Sequence, residues 1–467
     1  MNRSVVVALG LSIVLLSPAY GQSVPADNQG QLALSAEQAR EENAYVLGVQ
    51  AYLWGYPLYH YDVSGEKSQQ IGAVGINSLR KYSALKTAKD RFVVTPNNVT
   101  IDAYGHLYLA EEPVVVHVPA LVEPRWYLAQ IGNTFDEVTF NVGGIKGPKP
   151  GDYLVTGPGY RGIVPNGMTQ VPLRTQKAIV AVRIHANGEG DIKAAVEAQQ
   201  GFRVMPLSAY LRQGLQYTPG KPMLAAAFTA SAPEQVRFFD RLGHAMQQSL
   251  PLSGDQDDAL LQAFNQIGLS VVNGFAWQTL DEASLRGLAR AVKAGEQIVD
   301  QRWKDVGEIN RGWRYTLAGG RAGHDFALRA ALAKNVVGAQ LAEEVIYPNS
   351  QVDSKGAALN GQHKYVLRFA KGQQPPASLF WNLSLYGDDM LFVDNAFARN
   401  SIGSMTEGLK PDADGSLTLV IQNERPADTA NWLPAPPGAF NLTMRFYGPA
   451  SSVLDGSYRL PAVERID

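Results

Sequence analysis

The sequence predicts a mixed fold, mainly β with helices, in which two β domains of sandwich or barrel type are joined by a helical insertion. Residues 91–183 and the chain after about residue 362 contain short apolar runs rich in β-branched residues, separated by Gly, Pro and Asn, as is typical of strands and turns. Between them, from about residue 231 to residue 303, apolar residues repeat with the helical period. The predicted segments are a signal peptide (1–21), a linker with an N-terminal helix (22–90), a first β domain (91–215), a helical insertion (216–350) and a second β domain (351–467).

The first 21 residues have the pattern of a secretory signal peptide. Arg3 gives a positive start, Val5 to Leu16 form an apolar run, and Ala19 and Gly21 are small residues suited to a cleavage site. The run is shorter than the roughly 20 residues that a membrane-spanning helix needs, which disfavours the alternative of an uncleaved anchor. We therefore expect a soluble protein, periplasmic or secreted after cleavage near Gly21.

The composition excludes several classes of protein. The 467 residues carry 41 Lys and Arg against 43 Asp and Glu, so the chain lacks the basic excess of a nucleic-acid-binding protein. The absence of Cys excludes disulfides, thiolate metal sites and a Cys nucleophile. No stretch after the signal peptide is long and apolar enough to span a membrane. The sequence thus predicts neither a nucleic-acid partner nor a membrane span.

The N-terminal helix is predicted to begin at Ser35. Ser35 and Gln38 have the spacing of a capping box, in which each residue's side chain accepts a hydrogen bond from the other's backbone N–H. The helix then presents one face that we interpret as core packing: Tyr45, Val49, Tyr52, Leu53 and Tyr56. Pro57 is expected to mark its end or a kink.

The first β domain is predicted from apolar runs that turn residues separate. Its strands are placed at Phe92–Val94, Val114–Val118, Trp126–Leu128, Val164 and Ala178–Val182. A helix is predicted to follow over Asp191–Leu211.

The helical insertion is predicted from a second capping box and a long apolar stripe. Thr279 and Glu282 form the box, and the stripe that follows is interrupted at Gly295. A further helix is predicted over Asp325–Val337. The strands of the second β domain are placed at Tyr365–Phe369, Leu379–Leu385, Leu417–Gln422 and Phe440–Tyr447.

A first polar cluster lies in the run from Thr95 to Asp102 and in the residues downstream of it. Asn side chains support special turn geometry, and this is the simpler interpretation. The same residue types also suit a polar pocket, with Asp102 as a base, Arg125 as a charge stabiliser and Tyr127 as a proton donor or orienting group. The predicted ligand-binding residues of this cluster are Asn97, Asn98 and Asn133.

A second polar cluster follows the predicted strand at Leu379–Leu385. Loops that combine aromatic side chains with carboxylates occur in sites for sugars and small polar ligands, and also at ordinary strand ends. The predicted ligand-binding residues here are Trp381, Tyr386, Asp388, Asn395 and Arg399. In both clusters the structural and the functional interpretation remain open.

Familiar catalytic and cofactor signatures are missing from the sequence. It contains no G-x-S-x-G elbow, no Walker A loop and no H-E-x-x-H motif. None of its seven His residues forms an H-x-H or H-x-x-x-H pair. The sequence therefore predicts no cofactor and no metal.

Longer motifs carry a family resemblance. One set comprises Tyr56-Pro57, Asn77, Val94 to Asn98, Pro113 to Val115, Arg125 to Tyr127, Gly151 to Leu154, Gly157 to Gly159 and Met205 to Leu207. On these motifs, residues 45–211 resemble the bacterial family named domain of unknown function 1254. A second set comprises Phe380-Trp381, Leu385-Tyr386, Val393 to Asn395, Ile402-Gly403, Asp412 to Leu417, Asn431 to Pro434 and Leu454 to Gly456. On these, residues 363–465 resemble its usual C-terminal companion, domain of unknown function 1214.

The resemblance implies two β-barrel or jelly-roll-like domains bridged by a helical element, in a protein that can form homo-oligomers. It implies no particular activity. The family usually has an acid and then a Tyr in a P-N-x-D-T-x-Y run, and this chain has Val99 and Asp102 at those places. The acid has moved by three residues, which in an extended strand switches the face it occupies.

Three hypotheses about function follow. The first is an exported enzyme that acts on a small polar substrate by acid/base chemistry, with hydrolysis, elimination or isomerisation preferred because no redox cofactor is predicted. The second is a non-catalytic envelope protein that binds a sugar or another small ligand. The third is an oligomeric structural protein, since β-sandwich subunits often form symmetric oligomers.

Overall fold

A computed structural model describes residues 33–72, 75–91, 94–147, 149–219, 224 and 227–467. The predicted signal peptide and the predicted strand residues Phe92 and Val93 lie outside these residues. Among the described residues, no helix combines the length and the apolar character needed to cross a membrane.

Two sheets that share one apolar core form what we call the N-terminal sheet pair. Its strands are β1 (Arg80–Lys81), β2 (Thr100–Tyr108), β3 (Val114–Val118), β4 (Tyr127–Asn133), β5 (Val138–Gly143), β6 (Gly151–Thr156), β7 (Thr169–Pro172), β8 (Lys177–His185) and β9 (Arg203–Pro206). One sheet has the order β1-β2-β8-β4-β5 and the other the order β7-β6-β3-β9. Side chains such as Ile101, Val116 and Val182 fill the space between them.

A second pair of sheets, the C-terminal sheet pair, has its own core. Strands β10 (Leu269–Ser270) and β11 (Gly274–Phe275) pair with each other in a separate two-stranded sheet. The strands of the C-terminal sheet pair are β12 (Glu308–Asn310), β13 (Trp313–Tyr315), β14 (Val345–Ile346), β15 (Asn349–Ser350), β16 (Tyr365–Phe369), β17 (Ala377–Gly387), β18 (Ser401–Gly403), β19 (Leu417–Gln422), β20 (Trp432–Pro434), β21 (Phe440–Pro449) and β22 (Glu464–Arg465). One sheet has the order β12-β13-β15-β21-β17-β18, with β14 also paired to β21, and the other β20-β19-β16-β22. Strands β12 to β15 thus join this sheet from within the predicted helical insertion.

Five of the eight helices in the described part of the chain form a third core beside the two sheet pairs. These eight helices are α1 (Ala36–Gly72), α2 (Ile192–Gln200), α3 (Leu207–Gln213), α4 (Arg237–Ser249), α5 (Asp258–Phe264), α6 (Glu282–Lys304), α7 (Phe326–Asn335) and α8 (Ser451–Leu454). Short 3-10 helices lie at Glu189–Asp191, Gly214–Gln216, Glu234–Val236, Asn265–Ile267 and Trp277–Thr279. Helices α1, α4, α5, α6 and α7 contribute to one apolar cluster that contains Trp54, Phe239 and Leu288.

The mixed sheet-and-helix architecture is confirmed, whereas the barrel or jelly-roll detail stays a prediction. Every sheet in the described part of the chain has two open edges, so none is a closed barrel. The predicted strands Val114–Val118, Tyr365–Phe369 and Leu417–Gln422 have the predicted bounds.

Helix α1 forms as its cap and apolar face predict. The backbone N–H of Ser35 donates to Gln38 Oε1 at 2.9 Å, and that of Gln38 donates to Ser35 Oγ at 3.1 Å, which completes the capping box. Pro57 lies inside the helix instead of ending it. The predicted aromatic face packs in the helical core, where Tyr52 stacks on Phe238 with ring centroids 4.1 Å apart.

Two helical predictions were wrong. The stretch Asp191–Leu211 is divided into α2, β9 and α3, because Arg203–Pro206 pairs with β3 and that pairing outweighs local helical propensity. Helix α6 is capped by Asp281, whose side chain accepts from the backbone N–H of Ser284 at 2.8 Å. Thr279 instead donates its hydroxyl to the Ala276 carbonyl at 2.7 Å and lies in a 3-10 turn.

Glycines allow α1 and α6 to pack closely. The interruption at Gly295 is explained by this contact, since a Cβ there would lie 2.4 Å from the ring of Tyr52. At Gly287 a Cβ would lie 2.2 Å from the carbonyl oxygen of Glu41, which is backbone and cannot swing away.

We therefore expect Gly287→Ala to lower the free energy of unfolding by about 1–3 kcal/mol, as is usual when atoms are inserted into a tightly packed contact. The matched control is Gly65→Ala in α1, where a Cβ would make an ordinary contact of 3.5 Å with His106. Because Ala favours helix over Gly by about 1 kcal/mol, the control should be neutral or stabilising. Urea unfolding of both variants measures the difference, and equal effects would contradict the close packing.

Candidate functional site

One sheet of the N-terminal sheet pair faces one sheet of the C-terminal sheet pair. On each facing sheet, a row of polar side chains along a strand points toward the other sheet. Side chains alternate along a strand, so in β2 the residues Ile101 and Ala103 enter the core while Thr100, Asp102 and Tyr104 occupy the opposite face. In β21, Met444 and Phe446 enter the core of the C-terminal sheet pair. The opposite face of β21 carries Thr443, Arg445 and Tyr447.

Residues Thr95 to Asn98, which we call the strap, connect the two sheet pairs. The Thr95 carbonyl accepts from Arg445 Nη2 at 2.9 Å, and the Pro96 carbonyl accepts from the Tyr386 hydroxyl at 2.7 Å. Asn98 Oδ1 accepts from the Ser401 hydroxyl at 2.8 Å. These bonds join segments about 300 positions apart in the chain.

Asn97 links the strap to both polar rows. Its Nδ2 donates to the Tyr447 hydroxyl at 2.8 Å and to Thr100 Oγ1 at 2.9 Å. The structure thus brings together Asn97, Asn98 and Tyr386 from the two predicted polar clusters. We call the surrounding group the joint cluster; it comprises Asn97, Asp102, Tyr104, Arg183, Tyr347, Tyr386, Arg445 and Tyr447.

Asp102 is the acid of the joint cluster. Only 5% of its surface is exposed, and its two carboxylate oxygens accept from Thr100 Oγ1 at 2.7 Å and from the Tyr104 hydroxyl at 3.1 Å. Burial raises the pKa of Asp102, and the charge of Arg183 partly opposes the rise. A carboxyl with a raised pKa is better matched to proton transfer near neutral pH than an exposed one.

Arg183 lies directly across from Asp102 in the register of β2 and β8. Its Nη2 donates to the Gly338 carbonyl at 3.0 Å and its Nη1 to Gln130 Oε1 at 3.4 Å. Its charge acts on Asp102 and Tyr104 of its own sheet and on Tyr347 and Tyr447 of the other. Arg183 is half-buried and therefore remains partly open to solvent.

Arg445 is a buried charge held by neutral groups. With 3% of its surface exposed, it donates to Ser384 Oγ at 2.8 Å, to the Tyr386 hydroxyl at 2.8 Å and to the Thr95 carbonyl. Among the described residues neither Arg445 nor Arg183 forms an ion pair with a carboxylate, although the charge of Arg183 acts on Asp102. The joint cluster thus contains two guanidinium groups and one carboxyl, so its net charge is positive.

A small cavity of about 40 Å³ adjoins the joint cluster at Tyr347. This is room for about one water molecule. Its other lining residues include Gln340, Val345 and Asn349. Within the joint cluster, Asn97, Tyr104, Arg183 and Tyr347 are the residues that keep partial exposure.

Asp136 supports the loop that holds Arg183. Its Oδ1 accepts from the backbone N–H of Gly338 at 2.8 Å, and the carbonyl of the same Gly338 accepts from Arg183. Burial raises the pKa of Asp136 to about 7. Asp136 has a φ of 60°, a backbone conformation that Asn tolerates well.

We expect the replacement Asp136→Asn to become more favourable, relative to wild type, as pH rises. The unfolded carboxyl loses its proton near about pH 3.9, while the folded one keeps it to about 7. This group's contribution to stability is therefore present below pH 4 and is lost as pH rises through 7, whereas Asn stays neutral. Urea unfolding at pH 4.5 and at pH 8 tests this, and a pH-independent difference between variant and wild type would contradict it.

The other predicted residues of the first cluster have partners within the fold. Arg125 forms a two-pronged pair with Asp191, with nitrogen–oxygen distances of 2.9 and 3.0 Å, and also donates to the His185 carbonyl. The ring of Tyr127 packs edge-on against Phe202. Asn133 Oδ1 accepts from the backbone N–H of Phe135 at 2.9 Å and so shapes the turn after β4. The structure does not place these three side chains in the joint cluster.

Four predicted residues of the second cluster also lie apart from the joint cluster. Trp381 is buried in the C-terminal core against Phe369, and Asp388 is exposed in the turn after β17. Asn395 shapes its own turn by accepting from the backbone N–H of Arg399 at 3.2 Å. The Arg399 guanidinium donates to the carbonyls of Thr429 at 2.6 Å and Trp432 at 3.0 Å.

Sequence reasoning missed the two guanidinium groups and three of the tyrosines: Tyr104, Arg183, Tyr347, Arg445 and Tyr447. A usable signal exists for the arginines, because each lies between two apolar residues of a strand, and a charge in such a place requires a polar partner. Tyr104 and Tyr447 continue the alternation that begins at Asp102 and Arg445. Nothing in the sequence indicates that these two rows face each other.

The shifted acid of the P-N-x-D-T-x-Y run still reaches the joint cluster. Val99 packs beside Tyr347 and Tyr447, and the charge of Asp102 acts on that same Tyr447. The expected change of face does not apply, because β2 begins only at Thr100 and Val99 precedes the regular alternation. Both positions therefore border one cluster.

Comparisons with known proteins match two regions of the chain to family models. The family model described as protein of unknown function (DUF1254) matches residues 76–206, and the one described as protein of unknown function (DUF1214) matches residues 344–451.

No curated protein matches the chain. The crystal structure of the VPA0106 protein from Vibrio parahaemolyticus is similar, with a TM-score of 0.68 and 22% identity over 91% of this chain and 100% of that one. An uncharacterized protein from Burkholderia cenocepacia matches with a TM-score of 0.42 and 12% identity over 92% of this chain and 94% of that one. The chain therefore contains a region that matches the DUF1254 family, followed by a region that matches the DUF1214 family.

Proposed function

We propose that the protein is an exported enzyme that acts by acid/base chemistry on a small polar substrate carrying an anionic group, bound at the joint cluster. The observation that carries the proposal is the buried guanidinium of Arg445, which has only hydroxyl and carbonyl partners. A buried charge without a counter-charge is costly, and a bound carboxylate or phosphate would supply that counter-charge.

Four residues of the joint cluster have roles in this proposal. Asp102 transfers a proton, and its raised pKa suits that role near neutral pH. Arg183 and Arg445 bind the anionic group from the two sheet pairs. Tyr104 orients the carboxyl of Asp102 through its hydroxyl, which donates to it at 3.1 Å. Hydrolysis, elimination or isomerisation without a redox cofactor remains the proposed chemistry.

In this proposal a substrate enters only when the two sheet pairs move apart at the joint cluster. The cavity beside Tyr347 holds about 40 Å³, whereas small-molecule sites usually occupy about 300–1,000 Å³. The partly exposed Tyr104, Arg183 and Tyr347 mark the side from which a substrate would enter.

The proposal also includes the cellular context that the sequence predicts. Cleavage near Gly21 would release the chain into the periplasm or the medium, and the two sheet pairs would be jelly-roll-like domains of a homo-oligomer. Intact mass of the protein from a periplasmic extract tests the cleavage, and light scattering tests the oligomer.

The decisive experiment is an untargeted screen of small carboxylates and phosphate esters with wild type beside Asp102→Asn. Turnover of at least one compound by wild type, and its loss in the variant, supports the proposal. Equal turnover by both proteins would overturn the role of Asp102.

A non-catalytic binding protein is the second candidate. It is favoured by the hydrogen bonds of Asp102, since both carboxylate oxygens already have hydroxyl donors in Thr100 and Tyr104. This candidate predicts saturable binding of an anion with no chemical change, and binding that survives Asp102→Asn.

A further inference from the structure

A second cavity, of about 480 Å³ and open to solvent, lies at the surface of the helical part and shares no lining residue with the joint cluster. Helix α4 contributes Asp240, His244 and Gln247, and the β10–β11 hairpin contributes Asn273 and Phe275. The volume falls within the range of about 300–1,000 Å³ that is usual for small-molecule sites.

The wall of this cavity is firmly held. A Cβ on Gly243 of α4 would lie 2.6 Å from the backbone of Gly274, so the helix and the hairpin are in backbone contact. Gln247 Nε2 donates to the Val272 carbonyl at 2.9 Å. The segment at Ser231 and Ala232 is held by Asp240, whose carboxylate accepts from the backbone N–H groups of Ser231 at 2.6 Å and Ala232 at 2.9 Å.

His244 is the titratable group that a ligand in the cavity would meet. Its Nδ1 is buried and lies 3.5 Å from Oδ2 of Asp62 on α1, while 27% of its side chain is exposed. Because Nδ1 is buried beside this carboxylate, without a hydrogen bond to it, Nε2 is the nitrogen left to accept from or donate to a ligand. The ring of Phe228 lies beside the imidazole, with centroids 5.4 Å apart.

The charges behind His244 balance one another. Asp62 accepts from Arg241 Nε at 2.9 Å and lies 3.5 Å from Lys177 Nζ, and Arg241 also pairs with Glu66. Two cations therefore face two carboxylates. Asp240, the acid of the cavity wall, is already held by Ser231 and Ala232. The cavity thus lacks the surplus cation that an anionic ligand would require, in contrast to the joint cluster.

We propose that this cavity binds a neutral polyhydroxylated molecule, of the size of a mono- or disaccharide, with His244 Nε2 hydrogen-bonded to a ligand hydroxyl. The remaining lining groups suit such a ligand. Amides from Gln247, Asn273 and Gln278 and hydroxyls from Thr229 and Ser231 line the cavity. Amides and hydroxyls both donate and accept, as sugar hydroxyls do, and the Phe228 ring offers an apolar surface for a sugar face.

The test is titration calorimetry of the full chain with glucose, galactose, N-acetylglucosamine and maltose. Wild type is expected to bind at least one of them saturably with one site per chain. His244→Ala, and independently Gln278→Ala, should weaken that binding by about tenfold each, the usual effect of one lost hydrogen bond. Gln278 is exposed, so its replacement tests the cavity even where His244→Ala impairs folding.

The matched control is His363→Ala. His363 Nδ1 also lies 3.5 Å from an aspartate, Asp467, but far from the cavity in sequence and on other elements. Binding should be unchanged in this variant and in Asp102→Asn, which separates the cavity from the joint cluster. Absence of saturable binding by all four sugars, wild-type affinity in both cavity variants, or loss of binding in Asp102→Asn would each overturn the assignment.

Discussion

Replacing Asp102 with asparagine is expected to lower turnover of the substrate found by screening at least about 100-fold, the lower range for loss of a positioned acid or base. The amide has the same shape and keeps one acceptor oxygen for a hydroxyl of Thr100 or Tyr104, while its NH2 can donate to the other hydroxyl, so the geometry of the joint cluster should survive. It cannot take up or release a proton at neutral pH. Because burial disfavours the ionised carboxyl, the variant should also be at least as stable as wild type at pH 8.

Steady-state kinetics and urea unfolding of the same preparation measure both effects. The control is Asp152→Asn, because Asp152 is likewise a strand aspartate that accepts from a tyrosine hydroxyl, that of Tyr210 at 2.7 Å, yet belongs to another sheet. Turnover in the control should remain within about threefold of wild type, well short of the loss of a catalytic group. A retained turnover in Asp102→Asn would rule out the acid/base role.

Replacing Trp54 with alanine is expected to lower the free energy of unfolding by about 3–5 kcal/mol, as for other large aromatic residues removed from a core. Trp54 is completely buried in α1 and packs against Phe135 and Phe264, with ring centroids 5.3 and 5.5 Å away. Its indole N–H donates to Asp257 Oδ2 at 2.8 Å. The side chain therefore fastens α1 both to the turn after β4 and to the segment before α5.

The variant Trp54→Phe separates packing from hydrogen bonding. It keeps most of the apolar contact and removes the donor to Asp257, so we expect a smaller loss, of about 1–3 kcal/mol. Denaturant unfolding of wild type and both variants measures the loss of the hydrogen bond and the further loss of packing separately. If the two variants lost equal stability, the contacts with Phe135 and Phe264 would not be the main contribution.

The sequence is most informative where local chemistry decides the structure. The capping box at Ser35 and Gln38 forms as expected, and so do strands such as Val114–Val118 whose apolar pattern agrees with their burial. Prediction fails where pairing with a distant segment determines the secondary structure, as in the stretch that becomes β9 because β3 pairs with it. Pro57 does not end helix α1, which continues past it within a large apolar core, and the alternative of a kink stays a prediction.

The candidate site was predictable in the same partial way. Asn97 and Asp102 are neighbours in the sequence and both lie in the joint cluster, which Tyr386 joins through the strap. Their charged partners could not be chosen from sequence, because Arg183 and Arg445 are supplied by strands far along the chain. The alternation of side chains along a strand shows that these arginines lie on the face opposite the apolar core. Only the packing of the sheets shows which residues they face.

The strap has a consequence for how the protein folds. Thr95, Pro96 and Asn98 complete the hydrogen bonds of Arg445, Tyr386 and Ser401, so each of these groups loses a protein partner when the strap detaches. Contacts of such long sequence separation form late, because the entropy of closing the intervening chain must be overcome first. We therefore expect cooperative unfolding in a single transition, with docking of the two halves as the slow step of refolding.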